Sequence, residues 1–464
     1  MLLGVLGSPV PQRAIRLAFD AARRYALVLV KGGLFVNAAV TSGISLALVM
    51  LVASTPCFAQ DVVRGVGVAE RSRPDYDPLG QGAGSFLLYP AVTARGDATD
   101  NYRATDTNRL GDVYLTVSPE VRAQSNWTRN RLNARAFLDR SVHAQLPGEN
   151  VTQYGASANG VLDITRQSIF TTELTAAHYV ESRSSLGSFR NSREPVGYET
   201  YHAAIGGAQN FNRLDVNVSV GANANNFHDV PGLDGTTIDQ DFRDYRTLTG
   251  TASVKYDIGG GLGVIVSGDA NTNSYSSDTS NPAVNPGNPE FDPLISLDRH
   301  SSGYSLQGGL TFELNSLISG SAQIGLLNRQ YRDPRLQDFS GLSYNANILW
   351  NVTPLTSLRF RAARSIEDTS STSVAGNVRN DFSVGVDHEL YRYVILTGDV
   401  RYGSFTPNGI GFGGREYGVG AAARYLVDRH WSATINARYD RRSSDSTFLR
   451  YHAATLGIAA KYAY

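Results

Sequence analysis

Apolar and polar residues alternate with a period of two along most of this chain, from Ser85 to Tyr464. In one run, Leu214, Val216, Val218, Val220, Ala222 and Ala224 alternate with Asp215, Asn217, Ser219, Gly221, Asn223 and Asn225. In another, Trp431, Ala433, Ile435, Ala437 and Tyr439 alternate with Ser432, Thr434, Asn436, Arg438 and Asp440. Strand side chains point alternately to two faces, so each run predicts one apolar and one polar face. About 18 segments of roughly 12 to 16 residues read this way, and none holds a sustained helical period.

The connections alternate between short and long. Short ones fall at Asn126-Trp127-Thr128-Arg129, Arg166-Gln167, Asn212-Arg213, Gly259-Gly260-Gly261, Asn315-Ser316, Thr353-Pro354, Tyr391-Arg392 and Asp428-Arg429. Long polar ones fall near 99–109, 145–151, 183–196, 228–242, 277–298, 332–339, 368–378, 406–413 and 441–447. Tight turns at one rim and long loops at the other are the pattern of an outer-membrane barrel. Eight turns and nine loops join 18 strands and place both strand ends of the barrel on the tight-turn side.

The last stretch, Phe448 to Tyr464, has Tyr464, Tyr462, Ala460, Ile458, Leu456 and Ala454 on one face. Lys461, Gly457 and Thr455 lie on the other, with Ala463, Ala459 and Ala453 between them. Such a strand must pair, and in a closed barrel its partner is the first strand, starting near Ser85. A soluble β-sandwich also alternates, but it needs a core of large residues between two sheets. Here the apolar faces are rich in Ala and Val, with aromatics near strand ends. The polar faces carry Arg135, Asp139, Asp215, Asp269, Arg359, Arg361, Asp399, Arg401, Arg438 and Asp440, which suit a watery lumen. The expected fold is therefore all-β: a closed, antiparallel, up-and-down transmembrane β-barrel of about 18 strands over 85–464.

Two segments precede it. Residues 1–59 begin with Arg13, Arg16, Arg23, Arg24 and Lys31 and then turn apolar from Ala38 to Ala53. Cys57-Phe58-Ala59 supplies small residues where a signal peptidase needs them, so 1–59 reads as a signal peptide. A membrane-anchor helix over Leu34 to Ala53 is the competing reading. Residues 60–84, with Pro74, Pro78 and several glycines, read as an extended, mobile periplasmic segment.

The 464 residues carry 42 basic and 42 acidic side chains. The leader holds five basic residues against Asp20, which leaves 37 basic and 41 acidic in the rest. A net negative body without basic runs argues against nucleic acid as a partner. The single cysteine, Cys57, would leave with the leader, so the remainder needs no disulfides.

Arg73-Pro74-Asp75-Tyr76-Asp77-Pro78-Leu79-Gly80 and Gly84-Ser85-Phe86-Leu87-Leu88-Tyr89-Pro90 resemble the start of the putative β-barrel porin 2 family of outer-membrane proteins. Asp100-Asn101, Val117-Ser118-Pro119 and Asn126-Trp127 continue the resemblance in order. It implies an outer-membrane barrel, and relatives of similar architecture are associated with exopolysaccharide secretion loci. It brings no catalytic residues. The final strand is also similar to the signal read by the barrel assembly machinery, with Tyr462 and Tyr464 as its aromatic pair. That signal usually has glycine where Ala459 stands.

Candidate chemistry is sparse. Mixed Arg and Asp on the polar faces suit either a selectivity zone or mere cross-strand pairing. Asp229, Asp234, Asp239, Asp241 and Asp244 are rich enough in oxygen to hold Ca²⁺ but lack the spacing of a calcium loop, and read as solvated acids. The eight histidines show no metal-ligand spacing. His228 beside Asp229, or His300 before Ser301, would be the only starting points for a rim hydrolase, and no motif accompanies them. No enzyme, catalytic group, metal or cofactor is expected. The chain reads as a porin-like channel for small hydrophilic solutes or saccharides in the outer membrane, after signal-peptide cleavage. Its expected partners are outer-membrane lipid and lipopolysaccharide and the barrel assembly machinery. The alternative is a structural or export-partner barrel serving exopolysaccharide secretion, with 61–84 as its contact to polysaccharide-export components.

Overall fold

The computed structural model describes residues 65–464 except 189–191, 276–297, 316, 368–373 and 410. The predicted leader over 1–59 lies outside the described residues. The first seven long strands are β1 (Phe86–Thr99), β2 (Asp112–Ser125), β3 (Arg131–His143), β4 (Val151–Asp163), β5 (Ser168–Val180), β6 (Gly197–Phe211) and β7 (Leu214–Phe227). Next come β8 (Tyr245–Gly259), β9 (Leu262–Tyr275), β10 (Ser301–Leu314), β11 (Ile318–Tyr331), β12 (Phe339–Thr353) and β13 (Thr356–Glu367). The last five are β14 (Val374–Tyr391), β15 (Val394–Gly409), β16 (Gly414–Leu426), β17 (Trp431–Ser444) and β18 (Tyr451–Ala463). Each pairs antiparallel with its sequence neighbours.

The ring closes between β1 and β18, from Ala91↔Ala463 to Thr99↔Thr455. The partner expected for the last strand is the one it has. Closure leaves no long strand with a bare edge, which a sheet in hydrocarbon requires. The tight turns have a backbone cause. Asn212 and Asn315 take φ of 63° and 50°, and Gly259, Gly260 and Gly261 take 95°, 65° and 78°. Glycine and asparagine enter this left-handed region at least cost.

Two expectations need correction. Loops were expected over 368–378 and 406–413, but Val374↔Gly409, Asn377↔Pro407 and Val378↔Thr406 pair, so 374–378 and 406–409 are strand; 411–413 is loop, and 368–373 and 410 lie outside the described residues. The β14–β15 hairpin thus stands tallest, because its Asn, Pro and Gly residues mimic a loop in sequence while the ladder continues. The segment before the barrel is not simply an extended mobile arm either: its described part, from Gly65, is anchored to the barrel by side-chain bonds.

The outward faces carry the lipid-facing apolar residues, among them Leu174, Ile205, Leu248, Leu306, Leu326 and Ile435, all exposed. Two aromatic belts bound them. At the tight-turn rim Trp431 and Tyr462 lie 5.0 Å apart and Tyr391 and Tyr393 5.5 Å apart. At the loop rim, Tyr344, Phe382, Tyr402 and Tyr417 form a chain of ring contacts between 5.4 and 6.2 Å. Amphipathic rings settle where hydrocarbon gives way to headgroups.

Candidate functional site: the lumen and its two mouths

Register decides which side chains share the inner face. Asp97 opposes Gly457, which opposes Asn436, and the same parity continues around the ring. All ten charged residues singled out in the sequence fall on this face, but they are not equivalent. Arg401 reaches Asp399 at 3.0 Å and Asp440 at 3.4 Å, and Arg438 donates to Asp440. Arg359 meets Asp387 at 2.9 Å, and Arg135 meets Glu120 at 2.6 Å. Asp215 faces Lys255 at 3.8 Å, and Asp269 accepts from the Ser305 hydroxyl. Among the described residues Arg361 and Asp139 form no ion pair.

Inner-wall charges missed in the sequence complete a dense quadrant on β14–β17. Arg379 binds Glu416 at 2.7 Å, Asp381 at 2.9 Å and Glu367 at 3.3 Å, while Arg442 binds Glu416 at 2.7 Å. Their strand parity was the available signal. The opposite wall is quieter. A recess of about 510 Å³ there is lined by Asn217, Ser219, Thr251, Ser253, Ser267, Asp269, Ser305 and Gln307, among others. A second, of about 500 Å³, carries Arg95, Asp97, Glu120, Arg135, Asp139 and Lys461 beside hydroxyl groups, near the closing seam.

The loop-side mouth is narrowed. The β5–β6 loop crosses it, and Arg442 on β17 donates to the Ser184 carbonyl at 2.5 Å. A buried knot pins this loop at its root. Arg183 donates to both carboxylate oxygens of Glu149 at 2.9 and 3.0 Å and to the Ser192 hydroxyl at 2.9 Å. Arg103 adds a third contact to Glu149 at 2.9 Å. Beside it, Val196, Val230, Ile238 and Phe242 pack into an apolar cluster with Phe227. Arg243 holds Glu181 at 3.1 Å, and Arg299 donates to the Phe242 carbonyl at 2.6 Å. No local sequence pattern announces these contacts, because each joins different loops.

The tight-turn mouth is partly occupied by Gly65–Gly80. The Val68 amide donates to the Ser357 hydroxyl at 2.8 Å, and Val68 is fully buried. Arg71 donates to the Pro354 carbonyl, and Arg424 to the Ala69 carbonyl at 3.1 Å. Arg73 forms a buried pair with Glu389 at 2.7 Å. The strap thus touches β12, β13, β14 and β16 before entering β1.

The aspartate group divides. Asp229, Asp239 and Asp241 lie close together, whereas Asp234 accepts from Thr236 and Asp244 from the Phe227 amide. Burial, then the neighbouring acids, push the Asp241 carboxyl up; burial raises Asp244 despite its amide bond. In the β11–β12 loop Asp333 is held well below the usual carboxylate range, first by its bonds from Arg335. The rim histidines do not form a hydrolase pair with serine: His300 turns to Asp298 at 2.6 Å, and His228 to Glu199 at 2.5 Å.

A closed ring of 18 strands with an apolar outer belt, a polar inner face and inward-folded loops defines a transmembrane barrel of the porin class. The chain belongs to the putative beta-barrel porin 2 family, whose model matches residues 73–463. It is therefore a porin-like outer-membrane β-barrel, a family and fold of channels rather than enzymes. Among solved structures it is similar to Pseudomonas aeruginosa OccK2 (OpdF), at 10% identity and TM-score 0.44, covering 81% of this chain and 98% of that one. It is also similar to a BenF-like porin of Pseudomonas fluorescens Pf-5, at 11% identity and TM-score 0.43, covering 81% and 99%. The Acinetobacter baumannii siderophore receptor PirA matches at 6% identity and TM-score 0.45, covering 85% and 81%. No curated protein matches the chain in sequence.

Proposed function

We propose that this barrel passes small hydrophilic solutes, saccharides among them, across the outer membrane. The observation that carries this reading is the recess lined by the hydroxyls and amides of Asn217, Ser267, Ser305 and Gln307, with the carboxylates of Glu173 and Asp269 beside them. Such groups exchange hydrogen bonds with a sugar's hydroxyls without binding a charge tightly, and weak multi-site contact is what conduction needs. The Arg and Asp residues of the inner wall tune ion preference, with the loop carrying Ser184 as the narrow point. The chain reaches the outer membrane after cleavage of a signal peptide over 1–59, and is inserted by the barrel assembly machinery reading Tyr462 and Tyr464. Its belts contact lipid and lipopolysaccharide. It performs no catalysis.

Swelling of liposomes carrying the purified barrel tests the reading. Neutral mono- and disaccharides should enter faster than into empty liposomes. Identical swelling rates, together with no conductance in planar bilayers, would sink it.

A second reading rests on the strap. Its outer surface leaves Asp75 and Leu79 exposed at the tight-turn mouth, where a periplasmic component of a polysaccharide exporter would grip it. Loss of partner capture on changing those residues, from a barrel silent in bilayers, would favour the export role.

A further inference from the structure

Three consecutive segments bring two imidazoles and a carboxylate together on the outside of the barrel. His178 near the end of β5 is directly opposite Glu199 on β6. His228 follows β7, and its amide donates to the Gly197 carbonyl at 2.9 Å, which holds it beside the same pair. Glu199 faces His178 Nδ1 at 3.3 Å and His228 Nε2 at 2.5 Å, and one ligand atom from each residue lies within 4.8 Å of the others.

Parity places the trio outside the lumen. Two pairs further down the same ladder Ala176 opposes Tyr201, whose ring is exposed on the lipid face. The site therefore sits at the loop-side rim, above the hydrocarbon belt. It is also a supported site. Tyr154 stacks on His178 with ring centroids 5.2 Å apart and fixes the imidazole plane. Gly197 lies under both rings: a Cβ there would come within 3.0 Å of His178 Cε1 and 3.8 Å of His228 Nδ1. A side chain there would press on the His178 ring, and glycine keeps that approach open.

We propose that His178, Glu199 and His228 bind a divalent cation of the zinc class at the outer rim. Two imidazoles and one carboxylate suit a borderline metal rather than Ca²⁺ or Mg²⁺, which take oxygen ligands. The 3.3 Å between His178 Nδ1 and Glu199 Oε1 matches two ligands at about 2.0–2.2 Å from one tetrahedral ion. The His228 end must open slightly, and it can, because His228 is half-exposed. Three protein ligands leave a further position for water or a headgroup oxygen.

The test is Zn²⁺ titration of the tag-free full barrel in detergent by calorimetry. One Zn²⁺ per chain is expected, with Ca²⁺ failing to compete. His228→Ala lies outside the strands and leaves folding intact, as heat-modifiable gel mobility checks. It and Glu199→Gln should each weaken binding by at least about tenfold, the scale that even an outer-shell change reaches. Absence of stoichiometric Zn²⁺ binding overturns the proposal. So does Zn²⁺ binding that survives His228→Ala and His178→Ala but disappears in Asp239→Asn.

Discussion

Arg73 and Glu389 meet at 2.7 Å with both side chains almost wholly buried, although 316 residues separate them in the chain. The pair ties the strap to the end of β14, inside the tight-turn mouth. Removing one partner of a buried pair leaves an uncompensated charge and costs about 3–5 kcal/mol. Glu389→Gln should therefore free the strap. Limited proteolysis should then cut between residues 65 and 80, and single-channel conductance should rise. Unchanged protection would mean that the contacts of Val68, Ala69 and Arg71 hold the strap without the ion pair.

The knot around Glu149 should govern the other mouth. Glu149 accepts from Arg183 and Arg103 while fully buried. Glu149→Gln should loosen the β5–β6 loop at a cost of about 3 kcal/mol or more. Noisier and larger single-channel currents are expected, with heat-modifiability retained. A quiet channel of normal size would show that this loop does not set the constriction.

Arg361 points into the lumen without an ion-pair partner among the described residues, so its charge is not cancelled locally. Arg361→Ala should shift the reversal potential in a salt gradient toward cation preference. Arg401→Ala should shift it less, because Arg401 is shared between Asp399 and Asp440. An equal shift in both would show that local pairing has no influence on selectivity.

Two loops should respond to pH in opposite directions. Asp241 and Asp244 are raised in the folded β7–β8 loop, so these two carboxyls bind more protons folded than unfolded between the ordinary aspartate value and the raised one, whereas Asp234 at the loop's exposed tip is lowered by its bonds from Thr236. The stability of the segment around Asp241 and Asp244 falls as pH rises through that window. Asp333 is depressed, so its contribution to the β11–β12 loop is present above the ordinary value and lost as pH falls through the folded one. Hydrogen exchange from pH 7 to pH 4, corrected for intrinsic rates, should show 239–244 tightening and 332–338 beginning to loosen at the acid end. Parallel behaviour would refute the assignment.

Tyr464 donates its amide to the Pro90 carbonyl at 3.0 Å, and its ring lies 5.8 Å from that of His430. Deleting it should lower the amount of heat-modifiable barrel in the membrane while leaving the conductance of inserted channels unchanged. Normal membrane levels would rule out Tyr464 as part of an assembly signal.

Legibility followed the range of the interaction. The β7 alternation from Leu214 to Asn225 announced itself, because a strand facing lipid on one side and water on the other must alternate at every residue. Short turns such as Asn212-Arg213 were equally plain, since the left-handed backbone restricts which residues fit. The parity that put Arg401 and Asp440 inside came with the alternation. What stayed hidden joins distant segments. Nothing near Arg73 points to Glu389, nor near Arg183 to Glu149. The His178, Glu199 and His228 trio lacks ligand spacing in the chain because adjacent strands, not a helix turn, bring it together. Asn377 and Pro407 misled for the opposite reason: loop-like residues sit where two strands keep pairing above the membrane.

The seam between β1 and β18 has a lower edge of its own. Below the Tyr464 amide's bond to the Pro90 carbonyl the first strand no longer meets the last segment; Phe86, Leu87 and Leu88 pair instead with Ala83, Gly82 and Gln81. The chain doubles back on itself there and occupies rungs that would otherwise stand open toward the periplasm. A second barrel, or a stray strand from an unfolded neighbour, finds those rungs of the first strand already taken. The lower end of the seam is thereby covered by the chain's own backbone rather than left to intermolecular pairing.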